Sequence, residues 1–496
     1  MDFLDPKEKK LRSIRLMVGY VLMTVLIFTA TLVLVYQAYG FGVDRKTGEV
    51  IQNGLVYVDS SPDNAVIFID NVEKSDRTNT RMLLKAGNYQ LTVKRDGYRD
   101  WSRKVEVLGG GIERITYPML IQTNLAEQEI QNFGVNEQLI RTQSPDRRWL
   151  MVAKSGSLNT FTELDLKDAA KGTKLPLLRQ IVFPETVFSA TDKPRKLEVM
   201  EWSNDNEHFL VKHTFGDAYE YIILNRDRPE TSFNINKLIE RNPVKLTLRD
   251  KKFDHWHLQD SVGGDLIFAT AKKEVSIVAT AVTAYKSHDD STLLYSKKSA
   301  DGQQDVFLTR EKDTKLLRKV KDGLLYLDIA RFDGKWYVVV ASDGDKRTYI
   351  YQDPWEVLSK VNGIKVAPKA IFRSNEPINT LEFSTNTRFV FVREGQHFAV
   401  YDSELDKIFN YNFSSELDKA TEVSWMDGHR LLARSSGQTY IIDFDGSNKQ
   451  QLVGAQPGDS TFFDRDYTVL YSFQDSKIST GSTALVETDL RYEQDK

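Results

Sequence analysis

Two histidines separated by one residue form the part of this chain best suited to hold a metal ion. In a strand, His255 and His257 point to the same side because side chains alternate, and Asp254 adjoins them. A zinc site needs three or four protein ligands, so another ligand would have to come from elsewhere in the chain. The alternative is a strand whose rings pack or face solvent. Since no third ligand is visible, we predict no metal site and keep His255 and His257 as weak candidates.

Acidic turns are numerous and could be mistaken for calcium-binding loops. Asp63 and Asp70 lie within the stretch SPDNAVIFID, Asp59 lies two residues before it, and Asp-Gly pairs begin at positions 301, 333, 343, 427 and 445. An EF-hand loop needs oxygen ligands at fixed positions and a closing Glu, which none of the Asp-Gly stretches supplies. We expect hairpin turns at these pairs, because Gly accepts a positive φ. We also expect a strand-joining corner at residues 62–65, with metal binding there a poor second.

The sequence lacks the motifs of the common catalytic classes. It has no Gly-x-Ser-x-Gly elbow and no phosphate-binding loop with Lys and Ser or Thr. It has no cysteine, which removes thiolate catalysis, disulfides and Cys-ligated zinc. Carboxylate pairs such as Asp289 and Asp290 occur, but a catalytic pair needs a pocket that raises one pKa. We predict that the protein is not an enzyme and carries no cofactor.

Length, charge and composition bound the architecture. At 496 residues the chain is too long for one ordinary domain, so two or more folded parts are expected. With 67 basic and 70 acidic residues, the net charge of -3 gives no reason to expect nucleic-acid binding. Aromatic residues at 11%, with many Val, Thr and Ile, favour strands.

One long apolar run lies near the N-terminus. The residues from Leu16 to Tyr36 include no charged side chain, and their length as a helix is close to the roughly 30 Å of a bilayer core. Basic residues are more frequent before the run than just after it: Lys7, Lys9, Lys10, Arg12 and Arg15 before, Arg45 and Lys46 after. The positive-inside rule therefore predicts a single-pass cell-membrane protein with a cytoplasmic N-terminus and its C-terminal bulk outside. A cleaved signal peptide is the alternative, but its apolar region is usually only 7 to 15 residues.

Short alternating strands follow this span and carry a specific resemblance. Strand-like runs separated by turn signals fill residues 54–120, as in a small sandwich. The stretches GLVYVDSSPDNAVIFID, TNTRMLLKAGNYQLTVKRDGYRDW and VEVLGGGIERITYPM resemble a PEGA domain, a small β-sandwich of surface proteins. The motif positions are Pro62, Ala65, Gly87, Gly97, Tyr98 and Trp101. Pro-Asp-Asn-Ala replaces Pro-Glu-Gly-Ala, and Asp70-Asn71 replaces Asp-Gly; both changes are compatible with turns.

One sequence phrase recurs beyond residue 136: a turn rich in Ser, Asp and Asn, a very apolar strand, and a further strand ending in Asp. Examples are SPDRRWLMVAKSGSLNTFTELDL, WSNDNEHFLVKHTFGDAYEYIIL and FSTNTRFVFVREGQHFAVYD. The apolar second strands are predicted to begin near 149, 208, 265, 292, 336, 388, 430 and 468, a spacing typical of four-stranded propeller blades. The phrases resemble TolB-like and WD40-like propeller repeats. Because the interval from 265 to 292 is short for a blade, the prediction is seven or eight blades.

These observations predict an all-β chain behind a transmembrane helix. The predicted parts are a basic tail (1–15), the membrane helix (16–36), a linker (37–53), the PEGA-like sandwich (54–120), a polar linker (121–136) and the propeller (137–496). We expect a membrane-anchored extracytoplasmic binding or scaffold protein of the cell envelope, whose propeller presents a face to a protein or polysaccharide. The expected partners are the lipid bilayer and that ligand. Two alternatives stay open: a propeller enzyme acting on envelope glycans, and an accessory subunit of an envelope assembly.

Overall fold

The computed structural model describes residues 6–38, 40–43, 50–135, 139–154, 157–166, 177–261, 263–360, 366–413, 417, 423–454 and 461–495. The chain divides into two compact units, residues 1–123 and 124–496. The first unit contains a long helix and a small sandwich. The described residues of the second unit form repeated sheets with short helices between them. Strands therefore dominate the chain, as its composition predicts.

The N-terminal helix α1 extends over Pro6–Ala38. Its segment Lys10–Tyr36 is long and apolar enough to cross a membrane, and none of that segment is buried against the rest of the protein. Hydroxyl groups of threonines inside the segment donate to carbonyl oxygens one turn earlier, for example Thr24 Oγ1 to Tyr20 O at 2.8 Å and Thr29 Oγ1 to Val25 O at 2.7 Å. Each hydroxyl thus has a partner within the helix, as an apolar environment requires.

The sandwich of the first unit has two four-stranded sheets. Its strands are β1 (Phe41–Val43), β2 (Val50–Val58), β3 (Val66–Ile69), β4 (Val72–Arg77), β5 (Thr80–Lys85), β6 (Gly87–Lys94), β7 (Trp101–Val107) and β8 (Ile112–Ile115). One sheet has the order β1-β2-β5, with β8 parallel to β2, and the other has the order β4-β3-β6-β7. The linker predicted at 37–53 is wrong in part, because β1 and the first residues of β2 pair with each other there.

Turn chemistry in the sandwich agrees with the sequence prediction. Asp70 and Asn71, between β3 and β4, both have positive φ (49° and 64°), the conformation of a tight hairpin turn. Pro62 and Ala65 are buried at the corner between β2 and β3, where the backbone N–H of Ala65 donates to Thr78 Oγ1 at 2.9 Å. The corner is therefore a structural joint. Asp70 Oδ1 accepts from the backbone N–H of Gln90 at 2.8 Å, which is also a structural role.

The second unit begins with β9 (Glu127–Val135), followed by eight groups of strands. The first four groups are β10 (Leu139–Gln143), β11 (Trp149–Lys154), β12 (Thr160–Asp165), β13 (Leu177–Val182); β14 (Arg195–Trp202), β15 (His208–Phe215), β16 (Ala218–Asn225), β17 (Phe233–Asn234); β18 (Lys245–Leu248), β19 (His255–Gln259), β20 (Leu266–Thr270), β21 (Val275–Ala279); β22 (Val282–Ser287), β23 (Thr292–Lys298), β24 (Gln304–Arg310), β25 (Asp313–Val320).

The remaining groups are β26 (Leu325–Phe332), β27 (Lys335–Ser342), β28 (Arg347–Gln352), β29 (Ala370–Arg373); β30 (Thr380–Phe383), β31 (Phe389–Glu394), β32 (His397–Asp402), β33 (Lys407–Asn412); β34 (Ser424–Trp425), β35 (Arg430–Ser435), β36 (Gln438–Asp443), β37 (Gln450–Gly454); and β38 (Phe462–Phe463), β39 (Val469–Asp475), β40 (Ser482–Asp489). Two short helices lie between strands, α2 (Ile235–Ile239) and α3 (Pro354–Lys360).

Within the described residues, these strands form eight four-stranded antiparallel sheets. Seven sheets take their strands consecutively from the chain, and the last has the order β38-β39-β40-β9. Repeated sheets of this kind, with the last one completed by the first strand, make a β-propeller. The predicted fold class is therefore confirmed: an all-β chain with a small sandwich and a propeller behind an apolar helix.

Two details of the sequence prediction need correction. Residues 121–136 are not simply a linker, because β9 pairs with β40 and completes the last sheet. The apolar strand predicted to begin near 265 is β20, the third strand of its sheet; the second is β19, which begins at His255. The interval from 265 to 292 seemed too short for a blade because of this misassignment. The sequence HWHLQ is polar, so it does not indicate the largely buried strand β19 that it forms.

Apolar side chains fill the space between neighbouring sheets. Three rings pack edge-to-face on one another, with centroids 5.6 to 6.1 Å apart. Phe161 lies in the first sheet, Phe183 directly follows that sheet, and Phe209 lies in the second sheet. All three rings are fully buried. Burial of whole aromatic side chains stabilises by about 1.5–3 kcal/mol each, which holds adjacent sheets together.

The recurring Asp at the end of a strand has a structural explanation. Arg148, just before β11, makes two hydrogen bonds to Asp165 at the end of β12, at 2.9 and 2.6 Å. Arg388 and Asp402 repeat the arrangement with the same distances. Such bidentate pairs fasten the second strand of a sheet to the third. The repeated phrase is therefore a folding signal and not a catalytic motif.

Candidate functional site

The candidate site is a cavity of about 560 Å³ in the second unit. Three chain segments form it: the connection from β13 to β14, the turn from β15 to β16, and α2 with the residues after it. The turn is tight because Gly216 has a positive φ of 59°. Asn234 fixes the start of α2, since its side chain accepts from Lys237 N at 3.0 Å, and Glu240 ends the helix with φ 55°.

Two aromatic rings and two amides supply the neutral part of the cavity lining. Phe215 and Tyr219, at either side of the turn, are both half-buried. Lys212 Nζ lies 4.3 Å from the Tyr219 ring centroid, a cation–π contact that holds this ring in place. Asn236 is buried and its Nδ2 donates to Asn242 Oδ1 at 3.1 Å. The lining therefore offers ring faces next to hydrogen-bonding amides.

Exposed charges of both signs surround these groups. The acids are Asp217 and Glu240, and the bases are Lys237 and Arg241. Arg241 Nη1 is 2.8 Å from Asp260 Oδ2, so this guanidinium is oriented by a neighbouring carboxylate. The rim of the cavity therefore carries charges of both signs.

A buried hydrogen-bond group supports one wall. Glu220 Oε1 lies 2.8 Å from His213 Nδ1 and accepts from Ser189 N at 2.8 Å, while Glu220 Oε2 accepts from Ser189 Oγ at 2.6 Å. Burial alone would raise the pKa of Glu220, but the hydrogen bonds from His213, Ser189 and Asn234 outweigh it and lower this pKa to about 2. The carboxylate is thus ionised at neutral pH and ties the β13–β14 connection to the sheet.

His213 is completely buried between aromatic rings. Its ring centroid lies 5.4 Å from that of Phe188, edge-to-face, and 5.1 Å from that of Phe215. Among the described residues, its Nε2 has no hydrogen-bond partner. Because Phe215 also lines the cavity, the His213–Glu220 pair positions both a ring and a backbone segment of the site.

The structure does not assemble a metal site around the two predicted histidines. His255 Nδ1 lies 2.7 Å from Asp254 Oδ1, at the start of β19, whereas His257 is buried between Phe268 and Tyr285. Burial, followed by the charge of Arg249, lowers the pKa of His257 to about 4. No group of three or more His, Cys, Asp or Glu residues able to hold a metal occurs in the part of the chain that the structure describes.

The other residues singled out in the sequence have structural positions. In the sandwich, Tyr98 and Trp101 are buried, and Gly97 has a positive φ of 81° in the turn before them. Gly87 is the first residue of β6. Of the Asp-Gly pairs, Asp333-Gly334 has positive φ at both residues (47° and 74°), which confirms a hairpin turn there.

Sequence reasoning missed the cavity because its parts are far apart in the chain and none is a motif. Ser189, Tyr219 and Asn242 come from two connections and a strand. The one local signal is the segment FGDAYEY, in which an apolar strand ends in a Gly-Asp turn flanked by aromatic residues. That signal is also common in hairpins without any ligand.

Comparison with known proteins agrees with this division of the chain. Residues 53–118 match the PEGA domain family. No curated protein sequence matches the chain. Solved structures that match part of the chain include oligogalacturonate lyase in complex with manganese (11% identity, TM-score 0.39, 62% of this chain and 96% of that one). Kluyveromyces lactis Hsv2 has 10% identity and a TM-score of 0.39 over 65% of this chain and 100% of its own. Dihydro-heme d1 dehydrogenase NirN in complex with DHE has 11% identity and a TM-score of 0.40 over 80% and 74%.

The class of protein follows from the fold and the family match. The chain is a β-propeller protein with a PEGA domain, as the sequence resemblance predicted. Its N-terminal apolar helix is of the kind that anchors a protein in a membrane or serves as a signal sequence.

Proposed function

We propose that this protein is a membrane-anchored, extracytoplasmic binding protein of the cell envelope, and that the propeller cavity holds a saccharide unit of an envelope polysaccharide. The cavity between the β15–β16 turn and α2 is the observation that carries the proposal. Its volume of about 560 Å³ lies within the usual range of small-ligand sites. A recess of this size suits a sugar residue better than a flat protein interface, which buries about 800 Å² on each partner.

The chemistry of the lining supports a saccharide ligand. Sugar rings present C–H faces that pack on aromatic side chains, here Phe215 and Tyr219, and hydroxyl groups that exchange hydrogen bonds with amides. Asn242 supplies an exposed amide, and Asp217 and Glu240 supply acceptors at the rim. The wall of the cavity is rigid, because Glu220 is hydrogen-bonded on both oxygens. Rigid lining lowers the entropic cost of binding.

Binding of purified envelope polysaccharide fragments by the full-length protein, measured by calorimetry, tests the proposal. Tyr219→Ala is expected to weaken binding about tenfold, because it removes one stacking face worth about 1.5 kcal/mol. Tyr440→Ala is the matched control, since Tyr440 is also a half-buried strand tyrosine with a lysine Nζ over its ring, at 4.7 Å, in another sheet. Equal effects of the two variants, or binding of a peptide library in place of glycans, would contradict a saccharide site.

The proposed orientation has its own test. Because the chain has no cysteine, single cysteines can be placed at will. With the N-terminus in the cytoplasm, Lys335→Cys in the propeller reacts with a membrane-impermeant maleimide in intact spheroplasts, and Arg12→Cys reacts only after lysis. The reverse pattern would refute the orientation. A mature protein that lacks residues 1–38 by mass would identify a cleaved signal sequence instead of an anchor.

The enzyme alternative gains no support from the buried acid of the cavity. Glycan hydrolysis needs one carboxylic acid that keeps its proton near neutral pH. Glu220, with a pKa of about 2, has no proton to give at that pH, and its oxygens are occupied by Ser189 and His213. Absence of reducing-end release in the binding assay is the expected outcome.

A further inference from the structure

The outer face of one sandwich sheet carries apolar and basic side chains in register. On β2, Leu55 pairs with Leu83 of β5 on one side and with Ile112 of β8 on the other, so the three form a row across the sheet. Leu83 and Ile112 are 66% and 59% exposed. Val56 and Val58 of the same strand are buried, which shows that the row faces outward. Large apolar side chains exposed side by side indicate an interaction surface.

The next row along the same face is basic and aromatic. Tyr57 pairs with Arg81 on β5 and with Arg114 on β8, and both arginines are exposed. Lys85, also exposed, pairs with Asn53 at the other side of the leucine row. Asp59, which follows β2, is half-buried. The face therefore has a positive charge around an apolar centre.

The outer face of the opposite sheet is different. There, Gln90 Nε2 donates to Ser102 Oγ at 2.5 Å and Thr92 Oγ1 lies 3.0 Å from Ser102 Oγ. Its polar groups satisfy one another, and Lys104 stands exposed next to them. The exposed row of Leu83 and Ile112 is thus particular to the face of β2, β5 and β8, whereas the opposite face has these polar groups beside Phe68, whose ring centroid lies 5.7 Å from Lys94 Nζ.

The chain places this face close to the end of α1. Helix α1 ends at Ala38 and β1 begins at Phe41, whose ring stacks on Tyr36 with centroids 4.5 Å apart. The N–H of Asn53 donates to Gly40 O at 2.7 Å, so the start of β2 contacts the chain just beyond the helix. At about 3.3 Å per residue along a strand, the leucine row lies about 7 Å from Asn53 and the arginine row about 13 Å.

We propose that this face rests on the headgroups of the bilayer that holds α1, with Leu83 and Ile112 at the acyl boundary and Arg81, Arg114 and Lys85 on anionic lipid phosphates. Charge decides the occupant: a second copy would set arginines against arginines, whereas anionic lipid complements them. Interfacial binding by apolar side chains ringed with Lys and Arg follows the same physics in amphipathic helices. The inference rests on the proposed membrane anchoring.

Single-cysteine variants of the full-length protein test the inference in reconstituted vesicles. The variants Leu83→Cys and Lys104→Cys are labelled with an environment-sensitive fluorophore, and Leu26→Cys, inside α1, reports the anchor itself. In vesicles of phosphatidylcholine mixed with anionic phosphatidylglycerol, the labels at 26 and 83 are expected to shift to the blue and the label at 104 to keep its emission in water.

The outcomes separate the inference from the anchoring on which it rests. A shift at position 26 without one at 83 overturns the lipid contact and leaves the anchor standing, whereas no shift at 26 refutes both. Arg81→Glu with Arg114→Glu is expected to lower the equilibrium constant for lipid contact of the label at 83 by about fivefold per changed residue, and the fraction in contact falls accordingly. An unchanged fraction would overturn the role of charge. A blue shift that also occurs in detergent and grows with protein concentration would place a second copy on this face and overturn the proposal.

Discussion

Acidification should loosen the cavity wall through one carboxylate. The pKa of Glu220 falls from an ordinary 4.5 to about 2 in the folded protein. When folding lowers the pKa of an acid, the ionised acid stabilises the folded state fully at any pH above its pKa in the unfolded chain. This stabilisation is lost as the pH falls from the unfolded pKa through the folded pKa. At 1.36 kcal/mol per pKa unit, ionised Glu220 contributes about 3 kcal/mol at pH 6, of which about 2 kcal/mol is lost by pH 3.

The comparison of the wild type with Glu220→Gln isolates this contribution from those of other acids. Glutamine keeps the shape and one acceptor for Ser189 but does not titrate. Urea unfolding at pH 6 and pH 3 is expected to show a fall in the free energy of unfolding that is about 2 kcal/mol larger in the wild type than in the variant. Glu198→Gln, an exposed acid on β14 of the same sheet, is the control and should follow the wild type. Parallel pH dependence of the wild type and Glu220→Gln would refute the reasoning.

Three further outcomes follow from buried groups of the propeller. Asp402→Ala should cost about 3 kcal/mol, because it removes the fully buried partner of Arg388 and leaves that guanidinium with Glu404 alone. Asp165→Ala should cost about 1 kcal/mol, because the Arg148 side chain is 38% exposed; equal losses in urea unfolding would contradict this. His257→Phe should keep or raise Tm by calorimetry, because it removes a buried nitrogen that has no partner among the described residues; a lower Tm would argue for a hidden contact. Phe133→Ala in β9 should lower the free energy of unfolding by about 3–5 kcal/mol and speed trypsin cleavage after Lys477, which lies shortly before β40, the strand that pairs with β9. Unchanged proteolysis would show that the closure of the propeller does not depend on β9.

Local chemistry made much of the fold predictable. The uncharged run from Leu16 to Tyr36 can only be a long apolar helix, and the turn at Asp70-Asn71 needs residues that tolerate positive φ. The Arg and Asp positions of two sheets could be read as a repeated signal, because each pair closes contacts within one hairpin. Such signals depend on residues that are neighbours in the chain, which is why they can be read from it.

Contacts between distant parts of the chain were not predictable in this way. Strand β9 has the polar sequence EQEIQNFGV, and its partner β40 lies at the opposite end of the propeller sequence. Strand β19 was missed because His257 and Gln259 are buried by neighbouring sheets, against their usual preference. The cavity has the same origin, since Ser189 and Asn242 meet only after two sheets have packed.

The pairing of β9 with β40 also sets when and how the molecule can be completed. Glu127 and Thr488 are register partners, so the first strand of the ring must wait, unpaired on that side, until the ribosome has delivered almost the entire chain. The same strand is the one joined directly to the N-terminal unit. Tension along the chain between the two units would therefore act first on the pairing of β9 with β40. The strand pair that closes the propeller is also the first part of it that such tension would load.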